Sequence, residues 1–250
     1  MPFTFAHPSI VLPFGFKQTK YLDFTALIIG TMAPDFEYFI HFRPIQIVGH
    51  TFLGQFYFNL PIIFIIAYIY HYILKKPIIS NLPKPYCNRY RYLIKRYWRI
   101  NSLSKFIVFC YSAILGALTH IVWDGFTHKT GIFVKNIGLL SEYIDILNFK
   151  IPIYKILQHG STFIGFIAII AYLNAIQDKN VNTNSNIQIS KFSKLKFWSG
   201  TILISMLIIA LMIFKLGILL IGTLIVTSIN AVFIGLIIMS MLMRIQKNKF

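Results

Sequence analysis

The stretch Thr119-His120-Ile121-Val122-Trp123-Asp124-Gly125-Phe126-Thr127-His128 carries a histidine, an aspartate and a second histidine at i, i+4 and i+8. On an α-helix that spacing stacks the three side chains on one side, a turn apart. Neutral imidazole nitrogen and carboxylate oxygen together suit zinc, and less specifically manganese or iron. A His-x-x-x-Asp pair can hold one ion from a single helix face, and a second carboxylate and histidine from elsewhere would complete four ligands. Asp35 and His50 are the candidates for those places. His7, His128 and His159 are candidates for a second ion or for hydrogen bonds to a phosphate. Glu37, two residues beyond Asp35, is the candidate bridging ligand or general base. Two such ions would generate hydroxide and clamp the oxygens of a transferring phosphoryl group.

Taken singly, these residues also fit plainer roles. Asp35 follows Pro34 and suits a turn, Ser161 suits a helix cap, and Thr119 suits a bond back to a helix carbonyl. Taken together, in a chain with only seven acids and seven histidines, they favour a metal site. Ionisable groups beside hydrocarbon are costly and mark functional sites by default.

The elements that must position them are membrane helices. Of 250 residues, 56% are hydrophobic and only 12% charged, whereas soluble chains carry roughly a quarter charged residues. Apolar runs predict five spans, near 52–74, 105–123, 161–176, 197–214 and 216–243. The third is short and is expected to extend back through Gln158-His159-Gly160. Phe24–Met32 is too short to cross and reads as an interfacial or re-entrant helix. The expected fold is all-α, a multi-pass transmembrane bundle. Its parts are a metal-site membrane domain over 1–176, a polar loop over 177–196, two further spans over 197–243 and a basic tail over 244–250. Trp98, Trp123 and Trp198 fall near predicted boundaries, as interfacial anchors do, and His71 in Tyr70-His71-Tyr72 reads as an aromatic-belt residue. Gly217, Gly222 and Gly235 offer small-residue faces for helix packing. Asn180–Asn186 reads as a polar loop, and Cys87 and Cys110 as unpaired thiols.

The formal charge of +17 is distributed by topology. Sixteen of the 24 Lys and Arg fall in the loops after spans one and three and in the tail, leaving eight with six of the seven acids on the other side. The excess of basic residues on the cytoplasmic side then sets the N-terminus outside and the C-terminus inside a bacterial cytoplasmic membrane. Membrane lipids, with anionic headgroups on the basic side, are the expected partner, and nucleic acid is not. This orientation brings six of the seven histidines to the outer face, although no histidine entered the count. The opening Met1-Pro2-Phe3-Thr4-Phe5-Ala6-His7-Pro8 lacks a basic stretch followed by an apolar core, so it is expected to stay in the mature chain with His7 available.

That opening, Met32-Ala33-Pro34-Asp35-Phe36-Glu37-Tyr38-Phe39, His50-Thr51, the Thr119–His128 block and Leu157-Gln158-His159-Gly160-Ser161 together resemble a bacterial membrane family known as domain of unknown function 4184. More distantly, the order Asp35, His50, His120, Asp124 is similar to one metal site of zinc-dependent phospholipase C and S1-type nucleases, and to membrane-bound metal-dependent hydrolases of bacterial inner membranes. In the phospholipase an Asp, a His and a following His-x-x-x-Asp pair share one zinc. This chain departs from that pattern, with Met1 in place of a ligating Trp and no second His-x-x-x-Glu pair. The resemblance therefore implies one or two ions rather than three.

Two readings follow. The first is a membrane-embedded, metal-dependent hydrolase facing the extracytoplasmic side and acting on phosphoester bonds of lipid-like substrates. The second is a non-catalytic membrane protein whose His/Asp cluster fastens the N-terminal segment to spans one to three. A transporter is a weaker third reading, because no broken-helix repeat or buried charge pathway is visible.

Overall fold

The computed structural model describes residues 3–16, 19–181, 189–217 and 220–247. Met1-Pro2, Lys17, most of the Asn180–Asn186 loop and Lys249 lie outside the described residues. Five helices are long and apolar enough to cross a membrane: Gln55–Asn81, Leu103–Asn136, Ile153–Ala175, Lys191–Lys215 and Ile221–Ile245. The chain is a multi-pass helical membrane protein, and among the described residues its one sheet is a two-stranded hairpin, Tyr143–Ile146 with Phe149–Pro152.

The helix of span three begins at Ile153, eight residues before the apolar run suggests. Polar Gln158 to Thr162 fit inside it because the Ser161 and Thr162 hydroxyls both donate to the Gln158 carbonyl, at 3.1 Å each. Ser161 is thus an interior residue rather than a cap, and its hydroxyl also accepts the Trp123 indole N–H at 3.2 Å. Thr119 bonds back to the Gly116 carbonyl at 2.7 Å, as its type and position predict.

Contacts divide the chain into two compact units. The first contains residues 1–36, 47–64 and 100–175. Its centre is the helix Leu103–Thr127, opened by Ser102, whose side chain accepts the Lys105 N–H. One stripe of that helix, at four-residue intervals, receives the short helix Phe24–Gly30. Ser112 Oγ accepts the Asp23 backbone N–H at 3.0 Å, while the Asp23 carboxylate caps the short helix on Ala26 N–H at 2.9 Å. One turn on, a Cβ placed on Gly116 would come within 2.3 Å of the Leu27 carbonyl oxygen, and one on Gly30 within 2.3 Å of the Ala113 carbonyl oxygen. The two backbones therefore touch, a close approach that only glycine permits. The N-terminal segment Thr4–Gly15, a run of tight 3-10 turns, lies along Ile153–Ala175 by a similar device: a Cβ on Gly165 would sit 3.0 Å from both the Ala6 carbonyl and Ser9 Oγ.

The second unit contains residues 37–46, 65–99 and 176–250. Spans four and five pair in antiparallel order. Gly200 faces Met239, the Gly235 Cα faces the Thr201 carbonyl, and Ser205 Oγ donates to Ala231 O at 3.1 Å. Gly217, with φ +77, closes the fourth span in a conformation that L side chains disfavour, so it serves the turn, whereas Gly235 serves the packing face. His71 lies flat on Trp98, ring centroids 4.8 Å apart. The Trp198 indole donates to the Asn81 carbonyl at 2.9 Å.

Gly116→Ala is expected to destabilise the protein by roughly 1–3 kcal/mol, the usual range for forced overpacking. Gly160→Ala, where a Cβ meets nothing within 4 Å, should be near neutral or slightly stabilising. Thermal melts of the two variants in detergent check both.

Candidate metal centre

Four chain segments of the first unit deliver the polar residues. The glycine contact at Gly116 and Gly30 sets the next turn of the long helix against the end of the short one. There His120 Nδ1 lies 2.8 Å from the Thr31 carbonyl oxygen. A carbonyl only accepts, so Nδ1 carries the proton, and in the neutral ring Nε2 presents its lone pair. The turn Ala33–Asp35 then carries Asp35 back to the same place, and Asp124 follows one turn beyond His120.

His50 is held by an amide clamp at the start of span one. Gln55 and Asn59, both buried, send side-chain N–H groups to the Gly49 carbonyl at 2.9 and 2.7 Å, and Gln55 also donates to the Thr51 carbonyl at 2.9 Å. Asn59 further donates to Gln55 Oε1 at 2.8 Å. The two residues flanking His50 are thereby tied down. His7, in the N-terminal segment, is buried and stacks on His120 with ring centroids 3.8 Å apart.

Two overlapping triads result, His7/Asp35/His120 and His50/His120/Asp124, the ligand-type atoms within each lying no more than 4.8 Å apart. His120 Nε2 is 3.2 Å from Asp124 Oδ2 and 3.6 Å from Asp35 Oδ1. His50 Nε2 is 3.7 and 3.8 Å from the same two oxygens. A tetrahedral zinc with bonds of roughly 2.0–2.1 Å has ligand–ligand edges of about 3.3–3.4 Å. The four nitrogen–oxygen separations bracket or slightly exceed that value. His120 Nε2 is buried and forms no hydrogen bond. It faces two carboxylate oxygens, whose charge a proton on this ring or a shared cation would offset. A proton on Nε2 would supply charge, but its approach to the oxygens lacks hydrogen-bond geometry.

Burial and the neighbouring groups keep His7 neutral and Asp35 ionised. Burial, aided by the neighbouring His120 ring, lowers the His7 pKa to about 3, so this imidazole stays neutral at physiological pH. Burial alone would raise the Asp35 carboxyl. The adjacent His120, the Thr4 hydroxyl and His50 outweigh it and hold Asp35 below the usual carboxylate range. Thr4 Oγ1 donates to Asp35 Oδ2 at 2.6 Å and so turns Oδ1 toward the histidines.

Five of the eight candidate residues thus come together: His7, Asp35, His50, His120 and Asp124. His128 sits at the rim. Its Nδ1 is 3.5 Å from Asp124 Oδ1 and 3.2 Å from the Asp124 carbonyl, and its Nε2 is 3.2 Å from the Gln158 amide nitrogen, so both ring nitrogens are engaged. His159 is exposed on span three and belongs to neither triad. Glu37 falls in the second unit, buried, with its carboxylate 3.9 Å from His41. Sequence reasoning passed over Thr4, Gln55, Asn59 and the Thr31 carbonyl. The amide pair at i, i+4 inside an apolar run was the available signal, because such groups in hydrocarbon must find partners. Nothing in the sequence alone marks a backbone carbonyl.

The family model for a domain of unknown function, DUF4184, matches residues 1–241. The chain belongs to this family. The match covers all five spans nearly to the end of the last, so the C-terminal pair is part of the family pattern along with the His/Asp segments. No curated protein and no solved structure matches the chain.

Thr4→Val removes the bond that orients Asp35, and Asn59→Leu removes one that fixes the turn before His50. Loss of such supporting contacts typically costs 10–100-fold in metal affinity, and about that loss is expected for each. Competition with a chromogenic chelator on purified protein measures it.

Proposed function

We propose that this DUF4184 protein holds one divalent cation, zinc by preference, through His50, His120, Asp35 and Asp124, and uses it to hydrolyse phosphoester or similar bonds of lipid-like substrates. The observation that carries the reading is His120 Nε2, a buried ring nitrogen without a hydrogen bond, facing two carboxylates. Two imidazoles with two carboxylates suit zinc better than magnesium or calcium, which take oxygen donors. One ion is favoured over two because both triads depend on the same His120 nitrogen, its other nitrogen being committed to Thr31. His7 is a fifth donor or the neutral group beside the ion.

A bound divalent ion would supply Lewis-acid polarisation of a carbonyl or phosphoryl oxygen at this place. The chain's own contribution is positional. His120 and Asp35 are almost fully buried and hold the closed side, while Asp124 and His50 keep 16% and 24% of their side-chain surface exposed. Substrate would therefore approach on the His50–Asp124 side. The hydrolytic step is further supported by the resemblance of the Asp35, His50, His120-x-x-x-Asp124 order to the zinc phospholipase and S1-type nuclease pattern. The charge asymmetry supports an extracytoplasmic centre, with the N-terminus outside and the C-terminus inside a bacterial cytoplasmic membrane.

A second reading has its own observation. The five clustered residues come from four separate segments, so an ion there would fasten the N-terminal segment, the short helix and span two together. In that case the ion is structural and no turnover accompanies it.

Elemental analysis of detergent-purified protein is expected to give near-stoichiometric zinc, lost in a still-inserted His120→Ala/Asp124→Ala variant. Wild type without metal, even after incubation with Zn²⁺, would overturn the metal reading. Phosphoester turnover lost in His50→Ala, with thermal stability kept, supports the enzyme. A chelator that lowers the melting temperature, with no turnover on any phosphoester tested, supports the structural ion.

A further inference from the structure

The hairpin joining spans two and three carries an apolar surface that the protein leaves uncovered. Its strands pair Tyr143 with Pro152, Ile144 with Ile151, Asp145 with Lys150 and Ile146 with Phe149. Directly opposed residues project to one side, and successive residues alternate. Ile144, Ile146, Phe149 and Ile151 therefore share one face, whereas Asp145 and Lys150 share the other with Tyr143 and Pro152. The hairpin is amphipathic, and its apolar side stays partly exposed: Ile144 is 45%, Ile146 40% and Phe149 71% exposed, and Leu147 at the tip 87%.

The turn is chemically odd in the same direction. Leu147 and Asn148 both have positive φ, 51° and 67°, as a two-residue hairpin turn of the primed type requires. Asn and Gly suit such positions, and leucine does not. A large apolar side chain thus occupies the most exposed point of a turn that locally disfavours it. An isolated two-stranded hairpin is also marginal in water and needs a surface to lie on.

Chain connectivity identifies that surface. The second strand ends at Pro152 and the helix of span three begins at Ile153, with no intervening residue. The Ile153 N–H donates to the Glu142 carbonyl at 2.9 Å, which extends the strand ladder into the first residue of the helix. The hairpin is thus fixed at the head of the span-three helix, about two turns before its apolar run begins, and lipid at the headgroup boundary is the apolar phase that this position offers.

We propose that residues 143–152 form an interfacial anchor. The Ile144/Ile146/Phe149/Ile151 face and the Leu147 tip lie in the boundary between headgroups and acyl chains, and the Asp145/Lys150 face meets water. The partner is the acyl surface of the host bilayer, on the side where the His120 end of span two emerges. This device is the strand counterpart of an amphipathic interfacial helix. It is independent of whether the metal centre is catalytic.

The test places a spin label on single cysteines, Asp145→Cys, Ile146→Cys, Phe149→Cys and Lys150→Cys, in a full-length Cys87→Ser/Cys110→Ser chain reconstituted in phospholipid vesicles. Collision with oxygen, which concentrates in the acyl region, is compared with collision with a water-soluble nickel chelate. Positions 146 and 149 should favour oxygen by several-fold relative to 145 and 150. Equal, water-like accessibility on both faces would overturn the anchor. Low collision with both reagents at 146 and 149 would also overturn it, and would assign the face to a protein contact such as a second copy. Wild-type protein in vesicles doped with a lipid bearing a photoactivatable acyl chain gives a check free of substitutions. Adducts are expected within residues 144–149, and their absence would count against the anchor.

Discussion

The backbone contact between the short helix Phe24–Gly30 and the long helix Leu103–Thr127 is the constraint on which the centre depends. A carbonyl can reach a histidine ring on a neighbouring helix only if the two axes come very close. Gly30 and Gly116 allow that approach, since a Cβ on either would overlap a carbonyl of the other. The consequence appears one turn later, where the Thr31 carbonyl accepts a hydrogen bond from the His120 Nδ1–H. Tautomer, ring orientation and the direction of the Nε2 lone pair are set together by that one bond. Ser112, Gly116, His120 and Asp124 thus act as one stripe with four tasks: fixing the entry of the short helix, admitting its backbone, aiming a ligand and supplying a carboxylate.

The remaining donors are fixed by the same economy of buried polar groups. In hydrocarbon each unsatisfied amide or carbonyl costs several kcal/mol. Gln55 and Asn59 can remain in a membrane-entering helix because they spend their N–H groups on the carbonyls that bracket His50. Thr4 does the same for Asp35. In both cases a buried polar residue that looks incidental is positioned by, and positions, a charged or metal-capable one. The cluster is therefore rigid on the sides facing Thr31 and Thr4, and it is least confined at His50 and Asp124.

Much of this was legible in the sequence, because membrane insertion writes itself into composition and because helical periodicity relates nearby residues. The five spans, the clustering of Asp35 and His50 with His120 and Asp124, and the back-bonding of Thr119 all follow from spacing and hydropathy. What was not legible depends on distant backbone. The extension of span three was expected only back to Gln158; its further reach to Ile153 was hidden because the polar Gln158–Thr162 stretch, whose Ser161 and Thr162 hydroxyls are satisfied within the helix, masks the pattern. The engagement of His128 by Gln158 was hidden because 30 residues separate them. The hairpin was hidden because its alternation lasts only four residues per strand and is flanked by a span on either side. Glu37 illustrates the opposite hazard: two residues from Asp35 in sequence, it belongs to the second unit and lies 3.9 Å from His41, four residues on in the helix Phe36–His41.

The apportioning of charge between the two units carries one more step. Residues 65–99 and 176–250 contain most of the cations, and residues 1–36, 47–64 and 100–175 contain the His/Asp cluster and five of the seven acids. A cation site assembled from neutral imidazoles and two carboxylates carries formal charge −2 before it binds. Placing Lys or Arg beside it would stabilise those carboxylates without an ion and weaken the pull on one. Among the described residues, imidazoles and a threonine hydroxyl approach Asp35 and Asp124 closely. Two carboxylates neutralised by permanent cations would make a salt-bridged core. Two carboxylates surrounded by imidazoles, which can carry a proton or offer a lone pair, make a site that could hold a metal ion.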